Sequence, residues 1–339
     1  MTTPTTATRH QVRLRDPGEL IASTPSLVGF RPTDSLVVHA HQGTRIAFSL
    51  RLDLPSPEHL DEVAATAAGL ALGTEPTGIT VVAVGGDARG APPGEVPNRA
   101  LVEAVIDDCA AAGVPLVHAM WAREIRKGAP WRCYRDPACG GTLPEPESTV
   151  AAAATAAIGR VVYDSREEME SLLAPDDVAE VARRAVMLAE TSGDLSTGEA
   201  RAALRDALDR VARPGFALSN ADIATLARAM SVAAVRDACL ATALPPGSAE
   251  ALSAERLWTE LTRLTPAPER AAPATLLGYS AYLRGECALA GMALEEALAA
   301  DPGYVLAQLL RAGLSSGLSP ERLAGIADIA EISLDESDA

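Results

Sequence analysis

The chain has 339 residues, enough for two domains, and at 48% hydrophobic it can bury a sizeable core. A formal net charge of −16 without any long basic run excludes a duplex-binding surface and disfavours an anionic membrane surface, since both need clustered cations. Lys127 is the only lysine and has no glycine-rich context, which excludes a Walker-type phosphate loop and leaves Schiff-base chemistry one candidate.

Taken in order, residues 1–10 are polar and lack the apolar stretch of a signal peptide. Gln11 to Arg15 reads as a short strand. Asp16 then caps a helix with Pro17 at its first position, ending at Gly29. Arg31-Pro32-Thr33-Asp34 is turn chemistry. Ser35 to His41 alternates as a strand, with Leu36, Val38 and Ala40 on one face and Val37, His39 and His41 on the other. After the turn Gln42-Gly43-Thr44, Arg45 to Leu54 alternates again, with Ile46, Phe48, Leu50, Leu52 and Leu54 on one side. The short connection makes the two strands a hairpin.

Pro57 opens a helix to about Leu72, Thr77 to Val84 is a buried-type strand, and Gly85 to Pro97 is a Gly/Pro-rich loop. Asn98 to Ala112 reads as a helix, Val114 to Glu124 as a strand, and Trp131 to Arg135 as a short returning strand. The expected fold class is α/β, a mixed sheet with antiparallel hairpins and helices packed on it in two or three layers, followed by an all-α domain. The expected domains are residues 10–141 for the sheet, 142–148 as a Pro/Glu-rich linker, 149–332 as the helical part and 333–339 as a frayed acidic tail.

The helical part predicts helices over Thr149–Gly159, Arg166–Leu173, Asp176–Glu190, Thr197–Val211, Asn220–Thr242, Ser248–Leu264, Pro273–Gly285, Ala288–Ala299, Tyr304–Leu314 and Pro320–Glu331. Within it, Pro273 to Ala307 resembles one tetratricopeptide repeat. Leu277-Gly278, Gly285, Ala290, Leu294, Ala297 and Pro302 fall at the expected spacing. The usual tryptophan is Ala274, and no second copy scores as well, so a helical hairpin inside an all-α domain is favoured over a peptide-binding array.

Several residues could carry chemistry. His39 and His41 share a strand face, and His118 could join them as metal ligands, but no carboxylate cluster accompanies them and half-buried polar positions explain them better. Cys133 and Cys139 flank a turn and could bind zinc, react with each other or do nothing. The candidate ligand set at the strand ends is Asp34, Arg51, Asp53 and Arg132. Arg51 and Asp53, two apart on one strand, are also placed to form a structural ion pair, and Asp34 to form an Asx-turn. The ligand reading expects these side chains to converge on one cleft, and a closed Arg51–Asp53 pair under a helix makes it fail. Gly85-Gly86 follows a strand, but prolines separate it from the next helix, weakening its likeness to a phosphate-cradling loop. No G-x-S-x-G, H-E-x-x-H or kinase signature occurs. Five scattered cysteines suit reduced thiols and a cytoplasmic setting.

In chain order, L-V-G-F-R-P-T-D-S-L-V-V (from Leu27), L-R-L-D-L-P (from Leu50), W-R-C-Y-R-D-P-A-C (from Trp131), S-R-E-E-M-E-S-L-L-A-P (from Ser165) and A-A-D-P-G-Y-V-L-A (from Ala299) resemble the actinobacterial family called domain of unknown function 4192. The resemblance spans about Val12 to Leu318, implies an actinobacterial cytoplasmic protein, and supplies no activity. Gly140-Gly141 stand where the family carries a further cysteine and a proline, which weakens a metal or disulfide built on Cys133 and Cys139. His39 and His41 replace aliphatic residues of the family's first strand. The reading is a non-catalytic protein-interaction or regulatory module with a protein partner and no cofactor. Its alternatives are an enzyme or small-ligand binder for an anion or nucleotide at the strand ends, and a zinc-stabilised module.

Overall fold

The computed structural model describes residues 16–86, 95–175, 177–190, 193, 195–329 and 333–334. The strand expected over Gln11 to Arg15, the central part of the Gly85–Pro97 loop and the helix start at Asp176 lie outside them. The chain forms two compact units, Met1–Arg166 and Glu167–Ala339.

The first unit opens with helix α1 (Pro17–Val28), where the Asp16 carboxylate accepts from the Glu19 N–H and Gly29 closes the last turn in a left-handed conformation. Strands β1 (Ser35–Gln42) and β2 (Arg45–Asp53) form the hairpin. Helix α2 (Leu60–Leu72) leads to β3 (Gly78–Val84), and α3 (Arg99–Ala111) to β4 (Leu116–Ala122). A one-turn 3₁₀ segment, Pro57–His59, precedes α2 where a continuous helix was expected. Strands β5 (Pro130–Cys133) and β6 (Gly140–Thr142) and helix α4 (Val150–Ala157) follow.

Among the described residues the sheet has six strands, in the order β2-β1-β3-β4-β5-β6. Only β3 and β4 run parallel; the other neighbours are antiparallel. Strand β2 crosses β1 through α2 to reach β3, and β3 reaches β4 through α3. Both crossovers advance in the same direction, so a common hand puts α2 and α3 on one face. There Leu36, Val38, Ile79, Val81, Ala83 and Trp121 pack against Ala64, Ala67, Val102 and Val105. Helix α1 covers the other face, where Thr24 meets His39 and Gly18 abuts Trp131. The sheet is thus a mixed middle layer between helices.

Two departures from the expected strands have local causes. The β1–β2 register shifts between Ala40 and His41, leaving Ala47 as a bulge and setting Ile46 opposite His41 rather than on the Phe48 face. Residues 142–148, expected as a linker, stay tied to the sheet's edge. Thr142 ends β6, Leu143 exchanges backbone bonds with Ala129 and Gly128, and Pro146–Ser148 is a 3₁₀ turn. The division between units accordingly falls later, after Arg166.

The second unit is helical: α5 (Arg166–Ser171, spanning the division), α6 (Val178–Glu190), α7 (Thr197–Val211), α8 (Asn220–Ser231), α9 (Ala233–Ala238), α10 (Ala249–Leu264), α11 (Ala271–Leu283), α12 (Cys287–Ala300), α13 (Val305–Ser315) and α14 (Pro320–Ala324). The single helix expected over Asn220–Thr242 is broken. Val232 takes an extended ψ of 102°, and a 3₁₀ segment, Cys239–Ala243, ends the run. The Ser231 hydroxyl bonds back to the Ala227 carbonyl in the last turn, the competition that weakens helices at serine. Helix α14 is also shorter than expected and passes into a 3₁₀ segment, Gly325–Ile329. All of α11 is buried, as its uniformly apolar sequence requires. Gly278 makes this possible. A Cβ there would lie 2.9 Å from Leu294 Cγ and 3.3 Å from the Ala290 carbonyl, so α11 and α12 could not approach as they do.

Candidate functional site

The carboxyl ends of the parallel strands β3 and β4 are where an open α/β sheet offers a crevice. Beside them lie the start of β1 and the end of β2, because Ser35 pairs with both Val84 and Asp53. Asp34 enters this edge in a left-handed conformation, and its carboxylate accepts from the Gly86 N–H at 3.0 Å. Its carbonyl accepts from Leu54, so Asp34 ties three strand ends together. A side chain at Gly85 would strike Asp34 Oδ1, and one at Gly86 would strike Asn98 Nδ2. The α3 terminus therefore does abut the glycines, despite the intervening prolines. Asn98 Nδ2 is buried and has no hydrogen-bond partner.

Arg51 and Asp53 form a closed ion pair at 2.6 Å, with the Arg51 side chain 10% and the Asp53 side chain 71% exposed. Arg51 Nε donates to Ser35 Oγ at 2.7 Å, its guanidinium lies 5.7 Å from the Phe30 ring centre, and Arg166 approaches Asp53 at 3.8 Å. The fork is thus engaged by protein groups on the α1 face. Arg132 lies elsewhere. It pairs with Trp121, whose side chain belongs to the α2–α3 face, whereas Arg51 pairs with Val37 on the other. Four inter-strand steps separate β2 from β5, about 19 Å at ~4.8 Å each. The expected convergence of Asp34, Arg51, Asp53 and Arg132 on one cleft is corrected accordingly: Asp34 and the Arg51–Asp53 pair share an edge, and Arg132 stands apart.

The histidines are held by hydroxyls. His39 is fully buried, with Nδ1 2.8 Å from Ser49 Oγ and Nε2 3.4 Å from Thr24 Oγ1. Thr24 donates its own hydrogen to the Leu20 carbonyl, so it accepts from His39 Nε2–H, and Nδ1 accepts from Ser49. Burial, with a smaller contribution from His41, pulls the His39 pKa down to about 3. His41 Nε2 lies 2.9 Å from Thr80 Oγ1, and burial followed by repulsion from His118 lowers its pKa as well. His118 is exposed on β4. Among the described residues, no group of three or more His, Cys, Asp or Glu side chains could hold a metal ion.

Cys133 and Cys139 are adjacent at the sheet's edge and partly exposed, whereas Cys109 and Cys239 are buried. Elsewhere, Arg210 lines a shallow depression between α7 and α8, but bonds Asp206 and Asp222 at 3.1 and 3.0 Å.

The family model described as Domain of unknown function (DUF4192) matches residues 17–321. The chain belongs to the DUF4192 family. No curated protein and no solved structure matches it. In this DUF4192 chain, the spacing of Arg51 and Asp53 signalled their pairing. The partners Ser35 and Phe30 carried no such signal, nor did the contact of Asn98 with Gly86 across the intervening loop. No helix among the described residues is long and apolar enough to cross a membrane.

Proposed function

We propose that this protein is a non-catalytic protein-binding module whose recognition surface lies in the helical unit. Helix α6 carries the reading. Its sequence has helical apolar spacing, yet none of its residues is buried, and Val178 and Val186 are 73% and 59% exposed. An uncovered apolar row at i, i+4 and i+8 (Val178, Ala182, Val186) is the form in which a helix meets a partner. The α11–α12 hairpin supports the same reading as a single tetratricopeptide-like unit. The following helix, α13, leaves Val305 and Leu309 exposed one turn apart, a second uncovered apolar row.

The test is affinity capture with wild type, the double variant Val178→Glu/Val186→Glu and the double variant Val305→Glu/Leu309→Glu. Exposed substitutions of this kind change stability by only about 0.5 kcal/mol. Wild type should retain one defined protein, and one double variant should weaken its binding about tenfold or more, since ~1.4 kcal/mol at a contact row suffices. Equal recovery by all three, or none above background, overturns the reading.

A second reading, anion binding at the strand ends, is favoured by the unpartnered Asn98 Nδ2 beside Gly86 at the α3 terminus. The Asp34 carboxylate already occupying the Gly86 N–H opposes it. Calorimetric titration with inorganic phosphate and with a nucleoside triphosphate decides: heat abolished by Asn98→Ala supports it, and no heat from the wild type sinks it.

A further inference from the structure

The β5–β6 hairpin pairs Trp131 with Gly141 and Arg132 with Gly140. Continuing this register by one residue sets Cys133 opposite Cys139, and the Cys133 N–H donates to the Cys139 carbonyl at 3.0 Å. Residues directly opposite each other across antiparallel strands have Cα atoms about 4.5–5.5 Å apart. That lies inside the ~4.4–6.8 Å range a disulfide spans. Tight backbone bonds from Ala138 and Cys139 to Asp136 hold the intervening turn, so the juxtaposition is built in. Burial, followed by the neighbouring Cys133, raises the Cys139 pKa. Both cysteines are partly open to solvent at the sheet's edge.

We propose that Cys133 and Cys139 are a thiol-modification site at which a low-molecular-weight disulfide, RSSR, oxidises the pair to an intrachain disulfide across the hairpin. One cysteine loses its proton and its thiolate attacks RSSR, forming a protein–S–SR bond and expelling RS⁻. The second, deprotonated in turn, attacks the protein sulfur of that mixed disulfide and expels the other RS⁻. The two cysteines lose two electrons, RSSR gains them, and the released protons leave two RSH. Excess small thiol reverses the steps. A reversible pair of this kind is compatible with a chain whose cysteines are otherwise reduced. The thiolate is the attacking species and the Cys139 proton is held above its ordinary value, so the reaction accelerates as pH rises through the alkaline range.

The experiment treats the reduced full-length chain with oxidised glutathione and counts thiols after denaturation. The expected count falls from five to three, with a mass loss of two hydrogens. Trypsin cuts after Arg132 and Arg135, so the oxidised chain should yield the Cys133 and Cys139 peptides joined by a bond that dithiothreitol cleaves. Cys287→Ser should still lose two thiols, while Cys133→Ser and Cys139→Ser should each stop at the mixed disulfide. A wild-type count unchanged at five overturns the proposal. So does a glutathione adduct that never resolves, or a cross-link that runs through Cys287.

Discussion

Acidification from pH 6.5 towards 3 should destabilise the sheet unit more steeply in the wild type than in a His39→Gln variant. The unfolded chain takes up a proton on His39 as pH falls through 6.5, and the folded chain refuses it until about 3. Protonation therefore favours the unfolded state throughout that window. The stability contributed by neutral His39 is complete above 6.5 and lost on the way down. The slope is ~1.4 kcal/mol per pH unit, so the total is on the order of 4–5 kcal/mol. His41 acts with the same sign through its own lowered value. The physical origin is the site of the ring. It sits between β1, β2 and α1 with one hydroxyl accepting from Nε2 and another donating to Nδ1, and no carboxylate is among these partners. A charged ring would lose the Ser49 donor and face the full desolvation of a buried cation. The carboxylates titrating in the same range do so in both proteins and cancel in the difference. Urea midpoints for wild type and variant across the window supply the test. The variant should be weaker near neutrality and its curve flatter in acid; parallel curves would show that His39 does not titrate on unfolding.

This histidine also shows what was legible in the sequence. Its strand, face and hairpin followed from period-two alternation and from the punctuation of Asp16-Pro17, Gly29 and Gly43, where local chemistry and tertiary packing agree. The mixed sheet and the helical second half were readable for the same reason. The features that escaped depend on distant partners. Strand β6 is Gly140-Gly141-Thr142, which carries no side-chain pattern and pairs with β5 under close contact of the Trp131 ring with Gly141. The break at Val232 occurs in a run without glycine or proline. The bulge at Ala47 reverses Ile46 in a strand whose sequence alternates without interruption. For the candidate site, the Arg51–Asp53 pairing was visible because both residues lie two apart on one strand. The separation from Arg132 was not, since the face of β5 is set by register across β3 and β4. The Cys133–Cys139 register was hidden with β6.

Arg284→Met should cost the helical unit about 3–5 kcal/mol, the range for removing one partner of a buried charge network. Arg284 ends α11 and holds two carboxylates in forked pairs. Its Nε and Nη2 donate to Glu255 of α10 at 2.8 and 2.5 Å, and its Nη1 and Nη2 donate to Glu286, which precedes α12, at 3.0 and 2.6 Å. The three side chains are only 13–14% exposed, so solvent screens them little. The same residue thereby fixes α10 against α11 and sets the turn into the hairpin closed by Gly278. Methionine keeps most of the packed volume and removes only the charge and its donors, taking from both acidic groups the cation they share. If the cost comes from the loss of that shared cation, neutralising the acids should recover most of it. The triple variant Arg284→Met/Glu255→Gln/Glu286→Gln should then lie within about 1–2 kcal/mol of wild type, because whole-network replacement is far milder than breaking it. Chemical denaturation followed by far-ultraviolet circular dichroism measures both differences. A single variant that loses under about 1 kcal/mol would mean the network is solvated rather than buried. A triple variant as weak as the single one would assign the cost to geometry instead of charge.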